Sequence, residues 1–394
     1  MKTRHNARTG SPARPMTMIT LVTLVAVITI SCAQEVPPTL ETATAPTAPA
    51  ALVPVVVTET TPEDPDDPAI WIHPEDPSKS LVLGTDKGGA VVVFDLDGKI
   101  IPDKTVTGLQ RMNNIDVEYG FQLGRETVDI AVATERPASA LRVFRLPEMT
   151  AVDNGGIPVF EGASGEAALP MGIALYKRPS DGAIFAIVSR KTGPSGTYLW
   201  QYRLADDGAG HVVGIKVREF GAFSDATSLD DSGVPELGEI ESVAVDDELG
   251  YVYYSDELTG VRKYHADPDA PDADVELALF ATDGFVEQRE GISIYAVNDG
   301  TGYILVSDQQ GNTFRIYTRE GSPGNPHEHR FVKSVAASTI ESDGSEVTSA
   351  VLDPRFPSGL FVAMSDNQTF HYYSWDDIAG DDLVKAPNGA PPSE

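Results

Sequence analysis

Charged residues recur at equivalent points of the chain, next to short apolar stretches that have the pattern of β-strands. Acids begin one set of strands, and charged residues end the strand that follows. Because neighbouring strands of a hairpin run antiparallel, these two positions lie at the same end of the hairpin. We therefore expect the charges to gather on one face of the protein. The strand-initial acids are Asp67, Asp116, Glu241, Glu290 and Glu346, and the strand-final charges include Lys87, Arg136, Arg190, Lys191, Glu257 and Asp308.

The gathered acids predict a site for cations. Carboxylates packed together repel one another and raise one another's pKa unless a cation joins them. Oxygen ligands without Cys or clustered His favour a hard ion, above all Ca²⁺. A simpler interpretation competes for each residue taken singly, because an Asp at a strand end often only hydrogen-bonds a turn.

The basic strand ends predict a second kind of ligand. Lys87, Arg136, Arg190 and Lys191 all fall in the first half of the pattern, whereas the second half supplies mainly carboxylates. A cationic half-ring beside bound calcium suits a ligand that carries several negative groups.

The strands that must position these residues form six repeats. A hydroxyl residue near the end of the second strand marks each repeat, at spacings of 49, 55, 66, 52 and 58 residues. Repeats of this length, built from strands and turns, are typical of a β-propeller with one four-stranded blade per repeat. We therefore predict an all-β fold, a six-bladed β-propeller, closed by pairing of residues 53–58 with the last blade. The hydroxyl residues are Thr85, Thr134, Ser189, Ser255, Ser307 and Ser365.

The N-terminal region predicts export. Four basic residues precede an apolar run over residues 18–30, which is too short to span a membrane but typical of a signal peptide. We predict a signal peptide over residues 1–31, a linker over 32–51, the propeller over 52–380 and a C-terminal tail over 381–394. The mature protein would then be extracytoplasmic, as a secreted, periplasmic or surface-anchored protein. Cys32 is a candidate lipid anchor, and an ordinary cleaved signal is the alternative.

The amino-acid composition limits the kinds of partner and site that the protein can have. The chain has 59 acidic and 29 basic residues and a formal net charge of −30, which argues against a general nucleic-acid binder. A single Cys excludes an internal disulfide framework and a Cys-cluster zinc site. No protein partner is implied, and we expect a monomer.

Five motifs, in order between about residue 60 and residue 375, resemble those of the β-propeller phytases. The resemblance implies a six-bladed, calcium-dependent enzyme, usually secreted, that hydrolyses phytate, the hexakisphosphate of myo-inositol. The motifs are Asp64-Pro65-Asp66-Asp67-Pro68-Ala69-Ile70-Trp71, Asn113-Asn114-Ile115-Asp116, Asp246-Asp247-Glu248-Leu249-Gly250, Glu290-Gly291 and Gly359-Leu360-Phe361-Val362.

The resemblance also implies roles for single residues. Lys87, Arg136 and Lys191 match basic residues that grip substrate phosphates, and with Glu241 they are the predicted catalytic residues. Arg190 is a further predicted substrate-binding residue, because it is one of the basic residues at the strand ends. The predicted calcium ligands are Asp66, Asp67, Glu241, Glu257, Glu290 and Asp343 from the resemblance, and Asp116, Asp308 and Glu346 from their strand positions.

Two positions depart from the family pattern, and two other functions remain open. Met171 stands where the family often has Tyr, and Gln288 stands where it often has Asp. The expected mechanism is attack of calcium-activated water on phosphorus, without a covalent enzyme intermediate. The alternatives are a calcium-dependent propeller lactonase or esterase, which uses one central metal, and a non-catalytic surface propeller used for binding.

Overall fold

The computed structural model describes residues 50–229 and 234–386, and these form six antiparallel sheets around a common axis. The first strand of each sheet contacts the first strands of its two neighbours, so that these strands make a closed ring. The prediction of a six-bladed β-propeller is therefore confirmed. The predicted signal peptide and Cys32 lie outside the described residues.

The strands of the first three blades follow the predicted repeats. Strand β1, Val56–Val57, precedes them. Blade one contains β2 (Pro65–Trp71), β3 (Leu81–Asp86), β4 (Ala90–Phe94) and β5 (Val106–Thr107). Blade two contains β6 (Met112–Leu123), β7 (Glu126–Glu135), β8 (Ala140–Leu146), β9 (Thr150–Ala151) and β10 (Ile157–Pro158). Blade three contains β11 (Pro170–Lys177), β12 (Ile184–Arg190), β13 (Leu199–Asp206) and β14 (Val212–Phe220).

A small hairpin of β15 (Thr227–Leu229) and β16 (Pro235–Leu237) separates the two halves of the ring. Blade four contains β17 (Val243–Asp246), β18 (Tyr251–Asp256), β19 (Gly260–His265) and β20 (Ala278–Phe280). Blade five contains β21 (Arg289–Ala296), β22 (Gly302–Asp308), β23 (Thr313–Thr318) and β24 (Phe331–Ala336). Blade six contains β25 (Ser345–Thr348), β26 (Leu360–Ser365) and β27 (Thr369–Ser374), and the helix α1 (Trp375–Ala379) follows. Two short 3₁₀ turns cover Pro77–Lys79 and Gly165–Ala168.

Strand β1 closes the ring as the fourth strand of blade six. Val56 lies opposite Tyr372 and Val57 opposite His371, and the backbone N–H of Thr58 donates to Phe370 O at 3.0 Å. The last blade thus combines strands from both ends of the propeller, which agrees with the predicted closure. No helix in the described part of the chain is long and apolar enough to cross a membrane.

The apolar core is divided into six clusters. β-branched and aromatic residues alternate along the inner strands, which is the pattern of sheets packed face to face. One cluster joins Val92 of blade one to Tyr372 of blade six, and another joins Val132 of blade two to Val188 of blade three. Each cluster lies between adjacent blades, so the ring is held together by side-to-side packing.

Five of the six hydroxyl residues tie their blade to the next one. Thr134 Oγ1 donates to Met171 O of blade three at 2.8 Å, and Ser307 Oγ donates to Ser342 O, next to blade six, at 2.8 Å. Thr85, Ser189 and Ser255 make the corresponding bonds to Asn113 O, Ile240 O and Arg289 O. Ser365 instead accepts from Ile340 N at 3.0 Å. The repeated hydroxyl is thus a structural residue at the level where the first strands begin.

The predicted boundary of the tail at residue 380 is too early. Leu383 and Ala386 are buried against Tyr295 and Trp375 in the cluster between blades five and six. The backbone N–H of Val384 donates to Tyr303 Oη at 2.8 Å, and that of Ala386 donates to Tyr295 Oη at 2.9 Å. Residues 381–386 therefore belong to the propeller, because apolar burial outweighs their polar composition.

Candidate functional site

The strand ends place the candidate residues on one face, at two depths. A rim cluster of Asp66, Glu239, Glu241, Glu257, Glu290 and Asp343 surrounds the mouth of the axial channel. A channel cluster of Asp67, Asp116 and Glu346 lies within the channel and lines a cavity of about 110 Å³. The predicted metal ligands therefore form two groups.

The rim cluster has the spacing of a cation site. Carboxylate oxygens of Glu239, Glu241 and Glu257 all lie within 4.8 Å of one another. Asp66 Oδ2 and Glu290 Oε2 are buried and have no hydrogen-bond partner. A buried carboxylate oxygen without a partner is costly, so these two oxygens call for a positive ligand.

Burial and mutual repulsion perturb the acids of the rim cluster. Burial raises the pKa of Glu257 to about 8, with the charge of Glu239 adding to it against hydrogen bonds that lower it. Burial raises the pKa of Asp343 to about 6, against the opposing charge of Lys87. The pKa values of Glu241 and Glu290 also lie well above their ordinary range, because Glu290 is buried, Glu241 is largely shielded from solvent, and both lie among other carboxylates. Such perturbed acids in a channel mouth are typical of functional sites.

Two lysines border the rim cluster. Lys87 Nζ lies 3.0 Å from Asp343 Oδ2 and 3.3 Å from Asp66 Oδ1. Burial would lower the pKa of Lys87, but the charges of Asp66, Asp343 and Glu241 outweigh it and hold the pKa above its usual value. Lys191 pairs with Glu239. Both ammonium groups therefore lie at the rim, as predicted.

Arg136 also lies at this level. Its Nη1 donates to Asn113 Oδ1 at 3.0 Å, and Asn113 O receives the hydroxyl of Thr85. The guanidinium is thus held at the first-strand end of blade two, with donors to spare in its fixed fork.

Arg190 is not at the rim, which corrects one prediction. Its guanidinium carbon lies 5.2 Å from the ring centre of Phe160 and 5.4 Å from that of Trp200, and it donates to Thr197 O. Side chains alternate along a strand, so Arg190 points to the opposite side of the strand from Ser189 and Lys191. The arginine therefore packs in the interior and is 6% exposed.

Asp308 is a turn residue, which corrects another prediction. Its Oδ1 accepts from Val286 N at 2.9 Å, and its Oδ2 accepts from Thr313 Oγ1 at 3.4 Å. Asp86 and Asp256 occupy the same position in their blades and are bonded in similar ways, to Gly88 N and to Arg262. In these three blades the residue directly after the hydroxyl thus hydrogen-bonds its own hairpin or the loop beside it, and its carboxylate is not directed to the rim cluster.

The channel cluster is satisfied mainly by the backbone of the next strand. Asp67 Oδ2 accepts from Ile115 N at 3.1 Å, and Asp116 Oδ2 accepts from Leu175 N at 2.7 Å. Burial raises the pKa of Asp116 to about 7 and, with the charge of Asp116, that of Glu346 to about 8. These acids link blades and still leave oxygens facing the polar cavity.

Several residues of the rim were missed at the sequence level. Glu239 stands two positions before Glu241. Because side chains alternate along an extended backbone, this spacing would have placed Glu239 on the same side as Glu241. Gln288, Gln309 and Gln310 carry no charge, so a search for acids and bases passes over them. Gln309 Nε2 nevertheless donates to Asp343 Oδ1 at 2.6 Å. Met171 is fully buried, and its carbonyl accepts from Thr134.

This chain is similar to known proteins in structure and in sequence. Two solved propellers are similar in fold: the Dos1 propeller, at 12% identity and a TM-score of 0.41, covering 79% of this chain and 67% of that chain, and the β-propeller domain of Myceliophteria thermophila Cps50 (Swd1), at 13% and 0.45, covering 78% and 82%. At these scores the fold assignment rests on the sheet topology itself.

The sequence comparisons are more specific. The chain is 30% identical over 333 residues to the 3-phytase of Bacillus subtilis (strain 168), a match that covers 79% of each protein. A family model described as Phytase matches residues 16–388, which is nearly the whole chain. The chain therefore belongs to the phytase family.

Proposed function

We propose that this phytase is a calcium-dependent phosphatase, with its catalytic site at the rim cluster and phytate as its substrate. The observation that carries the proposal is the pair of buried, unpartnered oxygens, Asp66 Oδ2 and Glu290 Oε2, among four further carboxylates. The donor set fits calcium, since it is made of carboxylate oxygens alone. Bound calcium would supply positive charge beside the phosphate and the attacking water.

The basic residues would bind the substrate. Phytate carries several phosphates on one ring, so a site needs positive groups at more than one place. Lys87 and Lys191 present ammonium groups next to the rim cluster, and each has three donors, of which carboxylates use only part. Arg136 offers a planar fork, which suits a phosphate better than a single donor does.

We assign these residues different roles in the reaction. The lysines next to the rim cluster would stabilise charge on the equatorial oxygens of the phosphate under attack. Arg136 would orient the molecule through the same or a neighbouring phosphate. In the net reaction, water would add to phosphorus, the bond from phosphorus to the inositol oxygen would break, and the inositol oxygen would take up a proton that the water gives up, leaving inositol hydroxyl and inorganic phosphate. The carboxylates of the rim cluster would hold the cations and so orient the attacking water.

The channel cluster supports a second proposal. Asp67, Asp116 and Glu346 surround a polar cavity within the ring, below the rim cluster. We propose that they hold a further calcium ion whose effect is on stability, because their carboxylates connect the first strands of three blades. Calcium should then raise the Tm even of a variant whose rim cluster is inactivated.

One assay compares the three functions that the sequence left open. Phosphate release from phytate is measured after dialysis against EDTA and again after calcium is returned, with a sugar lactone as the comparison substrate. A phytase that depends on calcium loses phosphate release in EDTA and regains it. Hydrolysis of the lactone alone would favour a lactonase, and no turnover of either substrate would favour a binding propeller.

The cellular location is a separate proposal, and it rests on the N-terminal sequence. We propose that residues 1–31 direct export and that the enzyme works outside the cytoplasm as a monomer. Fractionation of cells expressing the full chain, with and without Cys32→Ala, tests both export and the lipid anchor. Retention in the cytoplasm would contradict export, and unchanged partitioning of Cys32→Ala would contradict lipidation.

A further inference from the structure

Three glutamine side chains on top of blade five form a continuous hydrogen-bonded relay. Gln288 precedes β21, and Gln309 and Gln310 follow β22. Gln310 Nε2 donates to Gln309 Oε1 at 2.6 Å and also to Gln288 Oε1. Gln310 Oε1 accepts from the backbone N–H of Gln288 at 2.9 Å. The amide of Gln310 is therefore fully used and fixed in one orientation.

Both ends of the relay reach carboxylates of the rim cluster. At one end Gln309 Nε2 donates to Asp343 Oδ1 at 2.6 Å, and at the other the side-chain amide of Gln288 lies beside the carboxylate of Glu257, whose pKa it lowers. Asp343 precedes blade six and Glu257 follows β18 of blade four. The relay thus spans blade five and connects two acids from the blades on either side of it.

The direction of the donors is what distinguishes this arrangement. A carboxylate accepts hydrogen bonds, so each end of the relay must present an N–H group. A chain of amides that all point one way would present an N–H at one end and a carbonyl at the other. Gln310 solves this because its single nitrogen carries two hydrogens, one for each neighbour. Its amide is the point at which the relay reverses direction.

We propose that Gln288, Gln309 and Gln310 are positioning residues that set the spacing of Glu257 and Asp343 and thereby the calcium affinity of the rim cluster. Outer hydrogen bonds to metal-binding side chains commonly orient those side chains, and their loss weakens binding by about 10- to 100-fold. The three glutamines are half-buried, which strengthens their bonds relative to bonds in open water. The inference rests on the proposed calcium site.

The test replaces Gln310 with Met, which has a similar shape and no amide donors. Calcium binding to the full chain is measured by titration calorimetry, and the Tm is measured in EDTA. We expect Gln310→Met to weaken calcium binding by about 10- to 100-fold while the Tm in EDTA changes little. Gln122→Met is the matched control, because Gln122 is exposed in the β6–β7 hairpin and its amide bonds only the nearby Thr127.

A second variant separates the two ends of the relay. Gln309→Met removes the bond to Asp343 and the bond that Gln309 accepts from Gln310, but it leaves Gln310 bonded to Gln288. We expect about tenfold weaker binding, less than for Gln310→Met. Gln309→Met also tests the proposal if Gln310→Met does not fold. Calcium affinities of both variants within about twofold of the unmodified protein would overturn the relay proposal alone. If the unmodified protein binds no calcium, the proposed function fails with it.

Discussion

At the scale of single residues, position after the repeated hydroxyl decides what a charged side chain does. The residue directly after the hydroxyl turns into its own blade, as Arg190 and Asp308 do. The second residue faces the rim, as Lys87, Arg136, Lys191, Glu257 and Gln309 do. The alternation of side chains along a strand explains this rule. The rule separates the candidate binding residues from the residues that support the fold.

Arg136 and Arg190 offer a direct test of that rule. Arg136→Met should lower phosphate release by about 100- to 1,000-fold, because a charged donor at the phosphate is lost. Arg190→Met should leave the rate per folded molecule within about twofold. It should cost about 1 to 2 kcal/mol of stability, because the contacts of Arg190 with Phe160 and Trp200 are lost.

The rule is tested by measuring, for both variants, the rate of phosphate release from phytate and the free energy of unfolding in urea. Lys99→Met serves as a control, since Lys99 lies on the surface and pairs only with Glu59. Equal loss of activity in Arg136→Met and Arg190→Met would contradict the rule.

Much of the site could be predicted from the sequence, and what was missed has physical causes. Lys87, Glu241 and Glu290 were placed correctly because strand direction alone puts them at one end of the ring. Arg190 and Asp308 were assigned to the rim because charge was counted without strand alternation. The glutamine relay could not be predicted, since its function depends on amide orientations that only the packed loops determine.

At the scale of elements, the hydroxyl near the end of the second strand joins each of the first five blades to the next blade. Thr134→Val keeps the shape of the side chain but leaves Met171 O and Asn114 N without this partner in a buried place. We expect a loss of about 1 to 3 kcal/mol in the free energy of unfolding. Thr134→Ser keeps the hydroxyl and should lose less. Equal stabilities of the Val and Ser variants in urea unfolding would show that the bond contributes nothing.

Strand β1 should matter more than its length suggests, because it removes the open edge between the first and last blades. Deletion of residues 52–58 exposes β27 and should lower the Tm by roughly 5–10 °C. Val57→Thr, at a side chain that is 48% exposed, keeps the strand and is the control. Differential scanning calorimetry measures both. An unchanged Tm after the deletion would mean that blade six is stable without β1.

The extent of the fold was largely visible in the sequence, because six strand pairs with one marker each leave few other architectures. The end of the propeller could not be predicted, since residues 381–386 look polar in sequence. They are held by Tyr295, Tyr303 and Trp375, which come from distant parts of the chain. Long-range packing of this kind has no local signature.

At the scale of the whole molecule, the net charge of −30 does not describe the working face. Part of the acidic charge is gathered in the rim and channel clusters, where calcium would offset it. The remaining acids lie elsewhere, and many are paired, as Asp246 is with Arg319. A protein this acidic can therefore bind a polyanion at one face.

Buried acids should give the calcium-free protein a characteristic pH dependence. Asp116 has a pKa of about 7, and Glu257 and Glu346 have values of about 8, against ordinary values near 4. Between about pH 4 and pH 8 the folded protein thus holds more protons than the unfolded chain. Its stability is highest near pH 4 as far as these groups are concerned, and it falls as the pH rises to about 8.

Calcium should reduce this decline, because it stabilises the charged carboxylates. Tm values from pH 5 to pH 8, measured in EDTA and in calcium, test the expectation. A Tm in EDTA that rises with pH over this range would contradict it.

The central claim is that the rim cluster holds calcium, and diffraction from crystals grown with calcium tests it most directly. Data collected at a long wavelength show calcium through its anomalous scattering. We predict peaks at the rim cluster, about 2.3–2.6 Å from carboxylate oxygens that include Asp66 Oδ2 and Glu290 Oε2. A rim cluster without any peak, in crystals of enzyme that releases phosphate from phytate in the same calcium solution, would contradict the account.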